Sequence, residues 1–207
     1  KGSAASGKDQ TSVPLSLAKS ASTENDEVVA AIRDLKLEIG NPQTPVALID
    51  GVSLELRANQ CTALVGESGS GKSLSSLALM GLLPGAIRQS AGTLQLRRKS
   101  GDMIDLGRQS PRALEQIRGN DVAMIFQEPM TALNPIHKVG AQMVEAILAH
   151  QPLSAAEARA HVINLLTQVG INEAERRFES YPHEFSGGMR QRVMIAMALS
   201  CAPRLLI

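Results

Sequence analysis

The sequence predicts an α/β fold, with a core built on a mainly parallel sheet and a helical subdomain inserted into it. Three observations point there. The run "CTALV" (61–65) is short and unbroken in its apolar character, the mark of a strand buried on both faces of a parallel sheet. Strand-like segments fill the first half of the chain, whereas the stretch after Asn134-Pro135 has a helical period. The pattern returns to strand at "RLLI" (204–207).

Taken in order, residues 1–26 are rich in Ser, Ala, Lys and Thr with little apolar content, which predicts a disordered leader or linker. The chain opens at Lys1 rather than Met, as a fragment or a processed product does. From Glu27 the texture changes. "EVVAAIRDLKLEI" (27–39) and "VSLELR" (52–57) alternate apolar and polar residues, as half-buried strands do. "GKSLSSLALMGLL" (71–83) predicts a helix stopped by Pro84-Gly85. "GTLQLRR" (92–98) and "DVAMIF" (121–126) read as strands on either side of a short helix, "SPRALEQIRG" (110–119). Helices follow at "VGAQMVEAILAH" (139–150) and "SAAEARAHVINLLTQVG" (154–170), the second with Ser154 as N-cap. A third helix opens at Ser186-Gly187-Gly188, and no internal repeat is visible.

Composition excludes several functions. At 207 residues the chain suits one domain with a real core. Its 21 basic and 20 acidic residues leave a net charge of +1, so no basic field draws it to nucleic acid. Aromatics are 2% with no Trp, too few for stacking along a single strand. The longest apolar stretch, "VMIAMALSCA" (193–202), is about half a membrane span. Without a signal-peptide pattern, the expectation is a soluble chain inside the cell. Cys61 and Cys201 each sit in an apolar run and are expected to be buried reduced thiols, not a disulfide or metal pair. His137, His150, His161 and His183 lack metal-ligand spacing and suit surface or capping roles.

The strongest chemistry lies between the buried run and its helix. Gly66, Glu67, Ser68, Gly69, Ser70, Gly71, Lys72 and Ser73 fit G-x-x-x-x-G-K-[ST], with the strand before and the helix after that this motif requires. Such a loop curls its backbone N–H groups around β- and γ-phosphate oxygens at a helix N-terminus. Lys72 supplies a point charge to those phosphates, and the Ser73 hydroxyl suits Mg²⁺. A nucleoside triphosphate site follows.

A second stretch, "YPHEFSGGMRQR" (181–192), starts a helix with small residues and places Arg190 and Arg192 close behind. Cations are disfavoured at a helix N-terminus, where the macrodipole is already positive. Either an anion belongs beside Ser186, Gly187 and Gly188, or the arginines form a solvated face or an ion pair.

With "MIFQEP" (124–129) between them, these motifs resemble, in this order, the Walker A, Q-loop and signature of ABC transporter ATP-binding subunits. The resemblance covers roughly 28–207 and is strongest to the oligopeptide/dipeptide permease branch, which includes nickel and glutathione importers. The family signature is LSGGQ; here Phe185 and Met189 stand at its first and last places. The resemblance implies a P-loop NTPase core with a mainly parallel sheet, an antiparallel β subdomain and a helical subdomain near 128–185. Residues 27–207 would then form one incomplete nucleotide-binding domain. It implies ATP and Mg²⁺ as ligands, with Lys72 and Gln127 catalytic and Ser73 and Gln127 at the metal. Without the resemblance, Gln127 is a strand-end glutamine with surface hydrogen bonds.

The implied partners are a second nucleotide-binding domain packed head to tail, so that Ser186, Gly187 and Gly188 face its triphosphate, and a membrane permease touching the helical insert. A solute-binding protein would act indirectly, and nucleic acid is not expected. The implied activity is ATP hydrolysis coupled to import of peptides or similar small solutes, at the cytoplasmic face of the plasma (bacterial inner) membrane, peripherally. Two departures stand out. No aromatic lies between Arg33 and Arg57, where relatives stack adenine. No acidic residue follows Leu205, so the Walker B carboxylates and switch histidine are not in this chain, which is expected to be inactive alone. Two other readings are a soluble ABC-type ATPase on nucleic acid or ribosomes and a non-hydrolysing nucleotide-binding module. The compact insert, without coiled coil or zinc module, disfavours the first.

Overall fold

The computed structural model describes residues 16–18, 27–126 and 133–207, the first three by backbone alone. Of the expected leader, only β1 (Ser16–Ala18) falls within that range, as a short strand antiparallel to β4 (Ala63–Val65). Gln127 and Glu128 lie outside the described residues.

The largest sheet is antiparallel, in the order β3 (Val46–Arg57), β2 (Val28–Ile39), β5 (Ile87–Arg97), β6 (Met103–Asp105). Its centre is β2, whose Ala30, Ile32, Leu35 and Leu37 are buried. The alternation breaks at Asp34, where a φ of 48° and a shift of register mark a bulge. The connection to β3 is closed by Asn41, whose Oδ1 accepts the Gln43 N–H at 2.9 Å. β3 starts well ahead of the expected Val52, because pairing with β2 extends back to Val46 where no local alternation shows it.

Parallel pairing, expected to dominate, is confined among the described strands to β7 (Val122–Ala123) and β8 (Leu205–Leu206). The Ile125 N–H donates to the Ile207 carbonyl at 2.8 Å, carrying the ladder one step further. The run 61–65 is not buried on both faces: Val65 is 48% exposed and Cys61 is exposed. Between β4, β2 and β8 runs an apolar groove of about 350 Å³, lined by Leu64, Val29 and Leu205 among others.

Helix α1 (Lys72–Leu79) ends four residues before Leu83, and Pro84 is not its stop. Gly81 adopts φ 61°; its N–H donates to Ala78 O at 2.9 Å and Leu82 N–H donates to Leu77 O at 2.8 Å. That paired closure is a Schellman motif, which satisfies the last carbonyls and turns the chain. Helix α2 (Pro111–Ile117) starts as its sequence suggests, with the Ser110 hydroxyl accepting the Ala113 N–H at 3.2 Å.

The helical lobe contains α3 (Val139–Leu148), α4 (Ala155–Gln168), α5 (Ala174–Phe178) and α6 (Gly187–Leu199). Ser154 caps α4 in a full capping box: its backbone N–H donates to Glu157 Oε2 at 2.8 Å, and its hydroxyl accepts the Glu157 N–H at 3.3 Å. Met143, Ile147, Val162, Leu166 and Phe178 form the lobe's core, which continues through Phe185 into Val193 and Ala196 of α6. The lobe thus packs past residue 185, and α6 belongs to it through its inner face. Gly140 is required at the α3–α5 contact, since a Cβ there would lie 2.3 Å from the Phe178 ring.

Candidate functional site

The first half of the site is the turn from β4 into α1. Gly69 and Gly71 take φ of 85° and 89°, which reverses the backbone and leaves α1 without a side-chain N-cap. Gly71 is doubly constrained, because a Cβ on it would also meet Ile49 Cγ1 of β3 at 3.0 Å. The first turn of α1 carries no acidic residue and no side-chain cap, so no side chain offsets the positive end of the helix there. Lys72 folds into the loop, its ammonium donating to Gly66 O at 2.8 Å, Glu67 O at 2.6 Å and Ser70 Oγ at 3.3 Å. Ser73 is exposed at the next position. Behind it, buried Ser75 anchors the turn by donating to Gly71 O at 3.0 Å.

These residues fit a triphosphate with its metal. A cation, a helix N-terminus and an exposed hydroxyl share one turn, in which Glu67 is the one carboxylate residue. A bound Mg²⁺ would neutralise phosphate charge, and Ser73 is the described residue placed to ligate it. Among the described residues, no cluster of three or more His, Cys, Asp or Glu forms a metal site of its own.

The second half is the start of α6. Ser186 is its N-cap, accepting the Met189 N–H at 3.3 Å, and Gly187 and Gly188 are exposed with open space where a Cβ would stand. Beside them lies a cleft of about 330 Å³ with Arg177, Arg192 and Glu173 on its walls. The two arginines that the sequence left open serve the protein's own backbone. Arg192 donates to Gly170 O at 2.8 Å and Arg190 to Pro182 O at 3.4 Å, fixing the loops on either side of the helix start. Phe185, at the departure from the family signature, is 3% exposed and plugs the loop into the lobe's core. The cleft is lined by residues of this lobe alone, so the two halves form separate surfaces.

Sequence reasoning missed what holds the far end of α6. His161 Nε2 lies 3.0 Å from Ser200 O, and the Lys99 ammonium contacts Cys201 O. Lys99 and His161 are more than a hundred and about forty residues away from it respectively, so no local signal marks them. Cations and N–H donors at a helix C-terminus complement its dipole.

Residues 49–207 match the model of the ABC transporter family. The chain is 48% identical over 184 residues to the glutathione import ATP-binding proteins GsiA of Shigella dysenteriae serotype 1 and Escherichia coli O157:H7. That match covers 86% of this chain but 29% of each relative, so the chain spans under a third of their length. In fold it is similar to the dimeric ABC transporter cassette MJ0796, with a TM-score of 0.68 at 21% identity over 86% of this chain and 72% of that one. A post-hydrolysis form of the same cassette, bound to ADP and Pi, gives a TM-score of 0.65 at 20% identity.

Proposed function

We propose, from the premise that this chain belongs to the ABC transporter family of ATP-binding proteins, that it is the ATP-binding part of an importer for peptides or similar small solutes. The observation that carries the reading is the pair of glycine-bearing helix starts: the Gly66–Ser73 loop with its caged lysine, and the N-terminus of α6, capped by Ser186 with Gly187 and Gly188 exposed. Each supplies part of a triphosphate site, and a head-to-tail pair of such domains completes both at once. In that pairing Lys72 and the loop amides bind the β- and γ-phosphates, and Ser186, Gly187 and Gly188 of the partner domain close over the γ-phosphate. Mg²⁺, when bound, screens the phosphate charge; Ser73 and Gln127 are the residues assigned to it. Gln127 also orients the attacking water. Relatives at 48% identity are named for glutathione import, which makes a short peptide thiol the first solute to try.

The permease side of the reading rests on a second surface. A largely apolar groove of about 560 Å³ runs between the core and the helical lobe, lined by Leu82, Met124, Phe126, Ala146, Met194 and Met197 among others. It suits the apolar face of a short cytoplasmic helix of the permease. Among the described residues no helix is long and apolar enough to cross a membrane; the reading places the domain peripherally against that partner at the cytoplasmic face.

The test is uptake of glutathione and short peptides into vesicles holding the full-length protein with its permease. Lys72→Ala should abolish ATP binding and uptake together. Ala146→Glu and Glu145→Lys on α3 should abolish uptake while leaving ATP affinity intact. ATP-independent uptake would sink the energetic reading, and full coupling in both α3 variants would sink the docking surface.

A further inference from the structure

Nucleobases are commonly held by aromatic stacking, and this chain has only four Phe, Tyr and Trp rings with which to do it. Phe178 and Phe185 are 8% and 3% exposed inside the helical lobe. Each already carries a guanidinium over its face, Arg159 at 4.8 Å and Arg177 at 5.7 Å. Phe126 lines the apolar groove between core and lobe. Tyr181 is what remains. It is 37% exposed and stacks on exposed His183, with ring centroids 5.7 Å apart and planes at 13°.

The pair is held in place rather than hung on a loose loop. Pro182–Glu184 form one 3₁₀ turn, and Glu184 reaches back to accept the Tyr181 N–H at 2.6 Å. Arg190 holds Pro182 O at 3.4 Å, and Arg177 holds Glu184 O at 3.3 Å. Tyr181 stands five residues before Ser186, across that one 3₁₀ turn, so their backbones lie within about 17 Å of each other. That bound takes in the reach from the γ-phosphate of a nucleoside triphosphate to its base. The P-loop side offers no ring. β3 runs beside Gly71 through Ile49, and its exposed leading residue is Val46, 59% exposed.

We propose that Tyr181 and His183 form the base-stacking platform of the composite nucleotide site. They receive the purine of a triphosphate whose phosphates lie on the P-loop of the partner domain. This rests on the head-to-tail pairing proposed above. Stacking uses the π-face of a base and not its hydrogen-bonding edge, so the site prefers purines to pyrimidines and separates ATP from GTP by less than about tenfold.

The experiment uses the full-length protein with 8-azido-ATP, and maps the photoadduct by mass spectrometry beside KM values for ATP, GTP and UTP. The adduct should fall on the peptide containing Tyr181 and His183. Tyr181→Ala should raise KM for ATP about tenfold, which corresponds to roughly 1.4 kcal/mol of stacking, with kcat retained. Tyr181→Phe should restore KM, because the ring and not the hydroxyl acts. An adduct confined to β3 near Val46, or an unchanged KM in Tyr181→Ala, would overturn the proposal. Light scattering with ATP separates the two levels: an intact dimer without the Tyr181 adduct sinks this platform alone, and absence of any dimer sinks the pairing beneath it as well.

Discussion

Lys72 makes its described hydrogen bonds to Gly66 O, Glu67 O and Ser70 Oγ, all within the loop. Removing it therefore takes away phosphate affinity without loosening the core. Lys72→Ala should lower ATP affinity by more than about tenfold, or ~1.4 kcal/mol, in calorimetry, with an unchanged melting temperature. Gly71 behaves oppositely. Its φ of 89° and the 3.0 Å approach to Ile49 make Gly71→Ala a strain as well as a clash, so stability should fall by about 1–3 kcal/mol in denaturant titration. This is why the P-loop was legible from sequence. Its glycines answer a backbone demand that leaves a fixed spacing, and the lysine follows at a fixed offset. Cys61 was not legible in the same way. Its exposure depends on what lies over β4, and that is decided by chain far from "CTALV". Arg190 and Arg192 were legible as an anomaly only, since their acceptors are loop carbonyls that no pattern announces.

At the level of elements, the helical lobe is held by polar closures that respond to pH. The Ser154 hydroxyl and then its backbone N–H hold the Glu157 carboxyl below its usual 4.5. The Lys138 ammonium, by hydrogen bond and then by charge, does the same for Glu179, with Arg159 adding to it. A carboxyl with a lowered pKa in the fold stabilises it above the unfolded value, and that contribution disappears as pH falls through the folded value. The lobe should accordingly hold a level melting temperature from neutral pH down to about 5 and lose stability below about 4.5. Glu157→Gln with Glu179→Gln should lower the neutral-pH melting temperature and flatten the acid limb, followed by circular dichroism. A slope unchanged by both substitutions would mean other carboxyls govern the lobe. The helices themselves were readable because caps and period are local; Ser154 and Ser186 both cap as their sequences suggest. The end of α1 was misjudged because a glycine in the left-handed region outranks a proline further on. The early start of β3 was invisible because pairing with β2, and not alternation, defines it.

The molecule as a whole turns on a residue that no motif contains. Asp121, 1% exposed, accepts the Lys99 N–H at 2.7 Å and Arg98 Nε–H at 3.3 Å, which ties the turn between β5 and β6 to the start of β7. Its carbonyl accepts the Arg204 N–H at 2.9 Å and the Leu205 N–H at 3.2 Å, which seats β8 beside β7. Lys99 passes the connection on through Asn120, at 2.8 Å, and Cys201 O at the end of the α6 segment. The antiparallel sheet, the parallel pair and the end of the α6 segment thus meet around one residue: its carboxylate holds the β5–β6 turn, its backbone carbonyl holds β8, and Lys99 of that turn reaches Cys201 O. Replacing Asp121 by Leu would leave the part-buried Lys99 amide without its acceptor and the Arg98 guanidinium without its anion. Arg98 is 37% exposed, so water recovers part of its loss and the penalty sits below that of a fully buried pair. Asp121→Leu should therefore cost about 2–3 kcal/mol by denaturant midpoint, and Asp121→Asn, which keeps one acceptor oxygen but no charge, about half as much. Lys36→Met is the contrast: it breaks a 2.6 Å ion pair with Asp50 in which both side chains are about half exposed or more, and the midpoint should not move measurably. If the two substitutions behave alike, Asp121 is one surface-type contact among many and the three parts of the fold are joined by apolar packing instead. If Asp121→Leu alone is costly, faster amide exchange should appear first in the turn between β5 and β6, whose Lys99 N–H the carboxylate holds, and less in β8, which hangs on the backbone carbonyl that leucine keeps.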